Sequence, residues 1–442
     1  MRSLWTLLPL IGLAWGQGLD LAALLRLLPQ SPGWQALEAQ YAQAQASYQA
    51  ALAALDLKVA AGGGLAYQNL QGQTSTRESL NLSANLLTLP YGPTQESARQ
   101  ARMALLRADL SRRSGEMDLL LSFLQQYWNT YLAERNLEVA QRALAVAQET
   151  YRVAQAKRQQ GLLSEEGLKQ AAQALAQAQA ALVQAQTQEA AARTALYATL
   201  GQAPGPPPPQ DLLPPTPPPP PPLEEALRAV AERPEVLRAQ NALEDARQAL
   251  AYAEAARFLP QGTLSLSYGQ LSAANPGSSL GLNLNLGTGQ VSVSATYVPG
   301  GSGAQGLGAS LSLSFPLLAP DLEAQVAAAR ANLAYQQANL ASTVAAAEAD
   351  IRARHGAYLA ALAQLEAAQK GLEAADQVLA DARKRLEAGL IAPLDLAQAE
   401  LSRLQAAYGL TSAQVNAHLA YLALRRSLAQ LTLEAYIKEV VP

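Results

Sequence analysis

The sequence has 442 residues, a net charge of −3 and no cysteine. The lack of cysteine excludes disulfides and thiolate metal sites, and a near-neutral charge with no basic stripe argues against a nucleic-acid partner. The only two histidines, His355 and His418, are far apart in sequence, so we expect them at ordinary helix positions and not in a shared metal site.

The first residues are typical of an export signal. Arg2 supplies a positive charge, Leu4 to Leu13 form an apolar run, and Ala14-Trp15-Gly16 is a small-x-small cleavage site. We therefore predict a signal peptide at residues 1–16, with an amphipathic first helix as the alternative. No later stretch reaches the roughly 20 apolar residues that a membrane helix needs.

The pattern of the first half of the chain, residues 17–203, predicts helices on either side of one block of strands. Its predicted elements are helices at 19–28 and 33–58, strands at 59–69 and 78–89, a long helix at 94–160 and a return helix at 164–200. The loop at 71–76 is polar. About 67 residues of uninterrupted helix exceed the usual length in globular domains and indicate a coiled coil or helical barrel.

A proline-rich linker follows at residues 204–222, which we expect to lie extended on the surface because proline can join neither a helix nor a strand ladder. The second half, residues 223–442, repeats the order of the first. Its predicted elements are a helix at 234–258, four strands at 263–271, 279–286, 290–298 and 307–315 (together about 263–315), a long helix at 321–388 and a return helix at 393–433.

The two halves are copies of one another. Gly161 and Gly389 each follow a long helix and precede a return helix, and they are 228 residues apart, whereas Tyr67 and Tyr268 in the strand blocks are 201 apart. The second strand block is therefore longer by about one membrane-spanning hairpin of roughly 9–11 residues per strand. This predicts six strands per chain, with Gly287-Thr288-Gly289 as a turn.

The strands alternate between apolar and uncharged polar residues. Leu282 and Leu284 alternate with Asn283 and Asn285, for example, and charges are scarce. This pattern predicts an outer-membrane β-barrel, because the outer face of a soluble sandwich, the alternative, would normally carry Lys and Glu.

These features together resemble the TolC-type outer-membrane efflux proteins over essentially the whole mature chain. The segment Ala-Gly-Leu-Ile-Ala-Pro-Leu-Asp-Leu around Gly389 is similar to the family's helix–turn–helix tip. The copy around Gly161 is less similar, because Gly167 stands where Asp395 stands in the second copy. The segment Glu232-Arg233-Pro234-Glu235-Val236 resembles the family's entry into its second repeat.

The resemblance implies a fold of α and transmembrane β structure: a homotrimeric outer-membrane β-barrel continuous with a long periplasmic α-helical barrel. Each chain would supply two helix-strand-strand-helix repeats. The barrel is expected in outer-membrane lipid, and a periplasmic adaptor (membrane fusion) protein and an inner-membrane pump are the expected partners. Family members usually supply four strands per chain, whereas this sequence offers six.

The resemblance also implies the residues that would carry function. Asp395, and Gln398 one turn further on, match positions where the family forms rings at the periplasmic pore constriction, and Asp395 could give cation block without being a structural metal site. The alternative is that Asp395 only charges a helix N-terminus. The expected adaptor-docking tips consist of Gly161, Leu162, Ser164, Gly389 and Leu390.

No catalytic constellation and no cofactor motif is visible, so we do not expect an enzyme. The predicted function is the exit duct of a tripartite efflux or type I secretion system. A non-channel coiled-coil tether spanning the envelope is the competing hypothesis, but it explains neither the duplicated strands nor the paired tips.

Overall fold

The structure is a computed structural model that describes residues 21–70, 73–88, 92–206, 217–257, 261–270, 277–299, 304–314 and 320–440. The predicted signal peptide and most of the proline-rich linker lie outside these residues. Two compact units are present. The first takes its described residues from Met1–Leu37, Ser114–Arg233 and Ala347–Pro442, and the second from Glu38–Arg113 and Pro234–Ala346. Each unit thus draws on both halves of the sequence.

Nine α-helices are described, and two of them are very long. Their bounds are α1 Leu21–Leu27, α2 Pro32–Ala53, α3 Pro93–Gln159, α4 Glu165–Thr199, α5 Leu223–Arg228, α6 Pro234–Ala256, α7 Pro320–Glu387, α8 Pro393–Ser427 and α9 Leu433–Val440. The 67 residues of α3 and 68 residues of α7 contain no proline after the first position, so nothing interrupts the hydrogen-bond ladder.

The return helix of the second half ends earlier than the sequence predicts. We expected it to run over 393–433, but α8 ends at Ser427 and α9 is separate. The cause is Ala429, which has a φ of +57°, and the N–H of Gln430 donates to the carbonyl of Arg425 at 2.9 Å. A residue in the left-handed region ends a helix with this hydrogen bond, and it is usually a glycine. Because an alanine stands here, no residue type marked the end of α8.

The core of the first unit is aromatic. The rings of Tyr127 and Tyr131 lie edge-on to Trp128, at centroid distances of 5.1 and 5.7 Å. Leucines of α1 and residues of α4, α8 and α9 complete the same cluster. His418 is buried there with its Nε2 3.0 Å from the hydroxyl of Tyr436, so it is a core residue and not a surface one.

The second unit contains one antiparallel sheet of six strands in the order β1-β2-β5-β4-β3-β6. The strands are β1 Lys58–Leu70, β2 Gln73–Thr88, β3 Gln261–Gln270, β4 Ser279–Asn285, β5 Gln290–Tyr297 and β6 Gln305–Ser314. Two residue-level expectations were wrong: Lys58 belongs to β1 instead of α2, and β2 begins at Gln73, inside the predicted loop. Pairing along the hairpin, as in Asn69 with Thr74, extends both strands beyond what local composition favours.

One face of the sheet is apolar and the other is polar. Cross-strand partners match in character, as in Leu266 opposite Leu282 and Ser265 opposite Asn283. The longer strand block of the second half supplies the β4–β5 hairpin, which pairs with β2 on one side and β3 on the other. The hairpin is therefore part of the ladder, and the predicted strand number of six is correct.

The described ends of the linker are tied to helices. The hydroxyl of Tyr197 in α4 donates to the carbonyl of Pro206 at 2.8 Å. On α7, the hydroxyl of Tyr358 donates to the carbonyl of Pro218, and His355 Nε2 lies 2.9 Å from that of Pro221. Because the carbonyl can only accept, His355 carries its proton on Nε2. Backbone carbonyls that proline leaves unpaired thus find side-chain donors.

Candidate docking tips and pore constriction

The first tip joins α3 to α4. Gly161 has a φ of +73°, and its N–H and that of Leu162 donate to the carbonyls of Arg158 and Lys157, at 3.0 and 2.8 Å. These two bonds form a Schellman motif that ends α3. The side chain of Ser164 then accepts from the N–H of Gly167 at 3.1 Å and caps α4.

The second tip joins α7 to α8 with the same geometry. Gly389 has a φ of +67°, and the N–H of Leu390 donates to the carbonyl of Arg385 at 2.8 Å. A Cβ at Gly161 or Gly389 would meet no atom within 4 Å. The backbone angle, and not crowding, is therefore what requires glycine at both positions.

Each tip exposes one leucine. Leu162 is 72% exposed and Leu390 is 70% exposed, beside helix ends that are otherwise polar. A pair of exposed leucines at equivalent positions of two repeats is an apolar surface with no partner among the described residues of the chain. Hydrophobic side chains in this setting often mark a binding site.

Asp395 and Gln398 lie on the first turns of α8, and both are exposed. One carboxylate oxygen of Asp395 accepts from the N–H of Ala392 at 2.9 Å. Asp395, which lies within the first turn of α8, therefore caps the start of its helix by accepting from the residue that precedes the helix. In α4 the cap is Ser164, which itself precedes the helix and accepts from a residue in the first turn. A ring at a constriction needs several copies of the chain, so the single chain shows only this local role.

A charged cleft of about 720 Å³, lined by residues of α3, α7 and α8, was not predicted from the sequence. Arg142 of α3 forms an ion pair with Glu400 of α8, and Arg403 of α8 pairs with Asp376 of α7 at 2.9 Å. The first pair links the α3/α4 hairpin to the α7/α8 hairpin. Its members are 258 residues apart, and no local pattern marks such a long-range pair.

The model of the outer membrane efflux protein family matches residues 24–202 and 227–430. The chain belongs to the outer membrane efflux protein family. The two matched segments contain the two tips and leave out the proline-rich linker, and the predicted resemblance is confirmed.

Solved structures show the same fold for this outer membrane efflux protein. The outer membrane protein VceC of Vibrio cholerae is 20% identical with a TM-score of 0.69, over 92% of this chain and 95% of that one. The open state of the outer membrane channel MtrE of Neisseria gonorrhoeae is 20% identical with a TM-score of 0.69, over 94% and 90%. The Campylobacter jejuni outer membrane channel CmeC is 17% identical with a TM-score of 0.67, over 96% and 92%. No curated protein matches the sequence.

These findings confirm the predicted fold class, a mainly helical chain with an antiparallel sheet, and the efflux function at the outer membrane. Proteins of this family and fold are channels. None of the helices that the structure describes in this outer membrane efflux protein combines the length and the apolar character needed to cross a membrane.

Proposed function

We propose that three copies of this outer membrane efflux protein form one exit duct, which receives substrates from an inner-membrane pump through a periplasmic adaptor. The six-stranded sheet would lie in the outer membrane, and the long helices would extend into the periplasm. The two repeats of the sequence, residues 17–203 and 223–442, would each supply one helical hairpin with a tip.

The observation that carries the proposal is the open sheet. It has an apolar face, a polar face and two edge strands: β1 pairs only with β2 and β6 only with β3, so the outer side of each pairs with no described strand. A sheet edge cannot stay unpaired in lipid, because its backbone groups would have no hydrogen-bond partners. Closure between copies satisfies both edges, and a non-channel tether would not require it.

The exposed tip leucines support adaptor docking. Leu162 and Leu390 project at helix ends that share one backbone geometry, so an adaptor could recognise both tips with similar surfaces. Asp395 would lie near the pore constriction together with Gln398, and three carboxylates around a narrow opening would favour cations.

Two measurements test the proposal. Purified protein in mild detergent should have the mass of three chains, and in planar bilayers it should conduct; a stable monomer, or a trimer without conductance, would contradict the duct. For docking, the double variant Leu162→Ser/Leu390→Ser should weaken binding to the adaptor encoded with its pump while leaving the trimer intact. Val183→Ser is the matched control, since Val183 is 61% exposed in the middle of α4.

A further inference from the structure

We propose that the β4–β5 hairpin gives the duct a wide exit with little fixed charge, which passes bulky cargo with only weak selection by the charge of that cargo. This inference rests on the proposed function, because it concerns the lumen of a closed barrel. It assigns a role to the polar face of the sheet, and it places any strong selection by charge elsewhere in the duct.

The polar face is continuous across the sheet. Its rungs join serine, asparagine, threonine and glycine on neighbouring strands, as in Ser83 with Ser294, Asn283 with Ser292 and Ser265 with Ser310. The hydroxyls of Ser265 and Ser310 are 2.6 Å apart and bond to each other. In a membrane barrel whose apolar face meets lipid, this face lines the lumen.

Fixed charge is nearly absent from the strands. Lys58, Arg77 and Glu78 are the only charged residues in the six described strands, and all three belong to the β1–β2 hairpin, where the register places Lys58 and Arg77 on the polar face and Glu78 on the apolar face. The four strands of the second half therefore add none. Hydroxyl and amide groups can hydrate a solute of either sign, whereas selectivity in pores comes from rings of like charge or of aligned carbonyls.

The β4–β5 hairpin also determines the diameter of the barrel that three copies would form. Without β4 and β5 each chain would contribute four strands, and three copies would make a barrel of twelve. With strands about 4.8 Å apart and tilted by about 40°, twelve strands give a backbone diameter of about 24 Å and eighteen give about 36 Å. The small side chains of the polar face leave most of this width open.

The hairpin is integral to the ladder. β5 pairs with β2 from Leu80 opposite Tyr297 to Thr88 opposite Gln290, and β4 pairs with β3 over seven rungs from Thr263 to Gly269. Its turn is fixed by Gly289, with a φ of +67°, and by the N–H of Thr288 donating to Asn285 Oδ1 at 3.1 Å. A hairpin held on both sides cannot fold across the mouth without breaking two sets of pairs.

The test is single-channel recording in the Asp395→Asn background, which removes the predicted charge at the constriction. The permeability ratio of K⁺ to Cl⁻ should fall within about two-fold of unity. Neutral polymers of graded size are then added on the side of the bilayer that the strand-connecting loops face. Polymers too large for a twelve-stranded barrel, whose backbone diameter is about 24 Å, should still enter the lumen. Strong selectivity for either ion, or exclusion of these polymers, would overturn the inference.

A pair of substitutions in β4 checks the assignment of the faces. Asn283→Asp adds one negative charge per chain on the polar face and should shift the conducting trimer towards cations. Leu282→Asp places the same charge on the apolar face and should instead lower the yield of inserted trimer. If both variants behave alike, the inference is wrong.

A wild-type trimer that does not conduct would overturn the proposed function and this inference together, whereas a conducting but strongly selective Asp395→Asn channel would overturn the inference alone.

Discussion

At the residue scale, the left-handed positions of this chain repeat with the same spacing as its tips. Gly201 ends α4 with a φ of +69°, and Ala429, which lies 228 residues later, ends α8 with a φ of +57°. The hydrogen bonds match as well, since Gln202 donates to Tyr197 and Gln430 donates to Arg425. The duplication therefore preserved a backbone conformation although the second copy has alanine in place of glycine.

Ala429→Gly should stabilise the first unit. An L-residue in the left-handed region costs about 1–2 kcal/mol, part of which is offset because glycine gains entropy in the unfolded chain. We expect the free energy of unfolding to rise by about 0.5–1 kcal/mol, measured by urea denaturation. Ala423→Gly, within α8, is the control and should be destabilising by about 1 kcal/mol. Equal losses in both variants would contradict the strain at Ala429.

His418 is a buried group whose charge state should matter for stability. Burial, and secondarily the positive charge of Arg425, lowers the pKa of His418 to about 4. The other groups facing it are the ring of Trp128 at 5.9 Å and the hydroxyl of Tyr436, while Glu439 is paired with Arg425 at 2.5 Å. Hence no carboxylate in the described surroundings is placed to stabilise a charged imidazole.

Stability should therefore fall in acid through His418. The group is neutral in both states above its unfolded pKa of about 6.5; as the pH drops towards 4 the unfolded chain binds the proton first, and about 3 kcal/mol is lost. Urea midpoints at pH 7 and pH 4.5 measure the loss, which should be smaller in His418→Gln. An unchanged difference between the two pH values in that variant would assign the acid sensitivity to other groups.

At the element scale, Asp395 has a local role at the start of α8, apart from the role at the pore constriction that we propose for it. Its carboxylate accepts the N–H of Ala392 at 2.9 Å and remains exposed. A helix N-terminus attracts negative charge, so the local role alone would explain an acid here. Only a measurement on the assembled channel separates that role from a ring at the constriction.

Asp395→Asn should weaken block by divalent cations in planar bilayers. The amide oxygen can still accept from the backbone of Ala392, so the helix start is largely retained, while three negative charges are removed from the trimer. We expect the blocking concentration to rise about ten-fold or more if the three carboxylates bind one ion together. Glu166→Gln removes the same charge near the other tip and should change little. Equal effects of the two substitutions would leave Asp395 as a helix-end charge only.

The sequence predicted the elements that local patterns specify. Gly161 and Gly389 end helices through their own backbone angles, and alternation of leucine with asparagine indicates strands. The helix ends and the strands could therefore be predicted from the sequence. The order of strands could not, because β6 pairs with β3 instead of its sequence neighbour β5. The ion pair between Arg142 and Glu400 could not be predicted either, because it depends on how the α3/α4 and α7/α8 hairpins pack together. Ala429 was missed since alanine normally continues a helix.

At the scale of the whole molecule, the direction of the strands decides whether copies can close a barrel. All five pairings within the sheet are antiparallel, from β1 with β2 to β3 with β6. With six strands, the two edges consequently run in opposite directions, so β1 of one copy can pair antiparallel with β6 of the next. An odd number of strands would force a parallel seam.

The seam can be tested by disulfide formation, because the chain has no cysteine of its own. Ala60→Cys on the polar face of β1 is combined in turn with Gly308→Cys, Ser310→Cys or Ser312→Cys on the same face of β6. A disulfide requires Cα atoms within about 7 Å, and four strands separate these edges within one chain, so only a neighbouring copy can provide the partner. We expect one member of the series to give covalent trimers on a non-reducing gel. Each single-cysteine variant should remain monomeric there. Dimers alone, or bands beyond the trimer, would show that the edges are not closed by three copies.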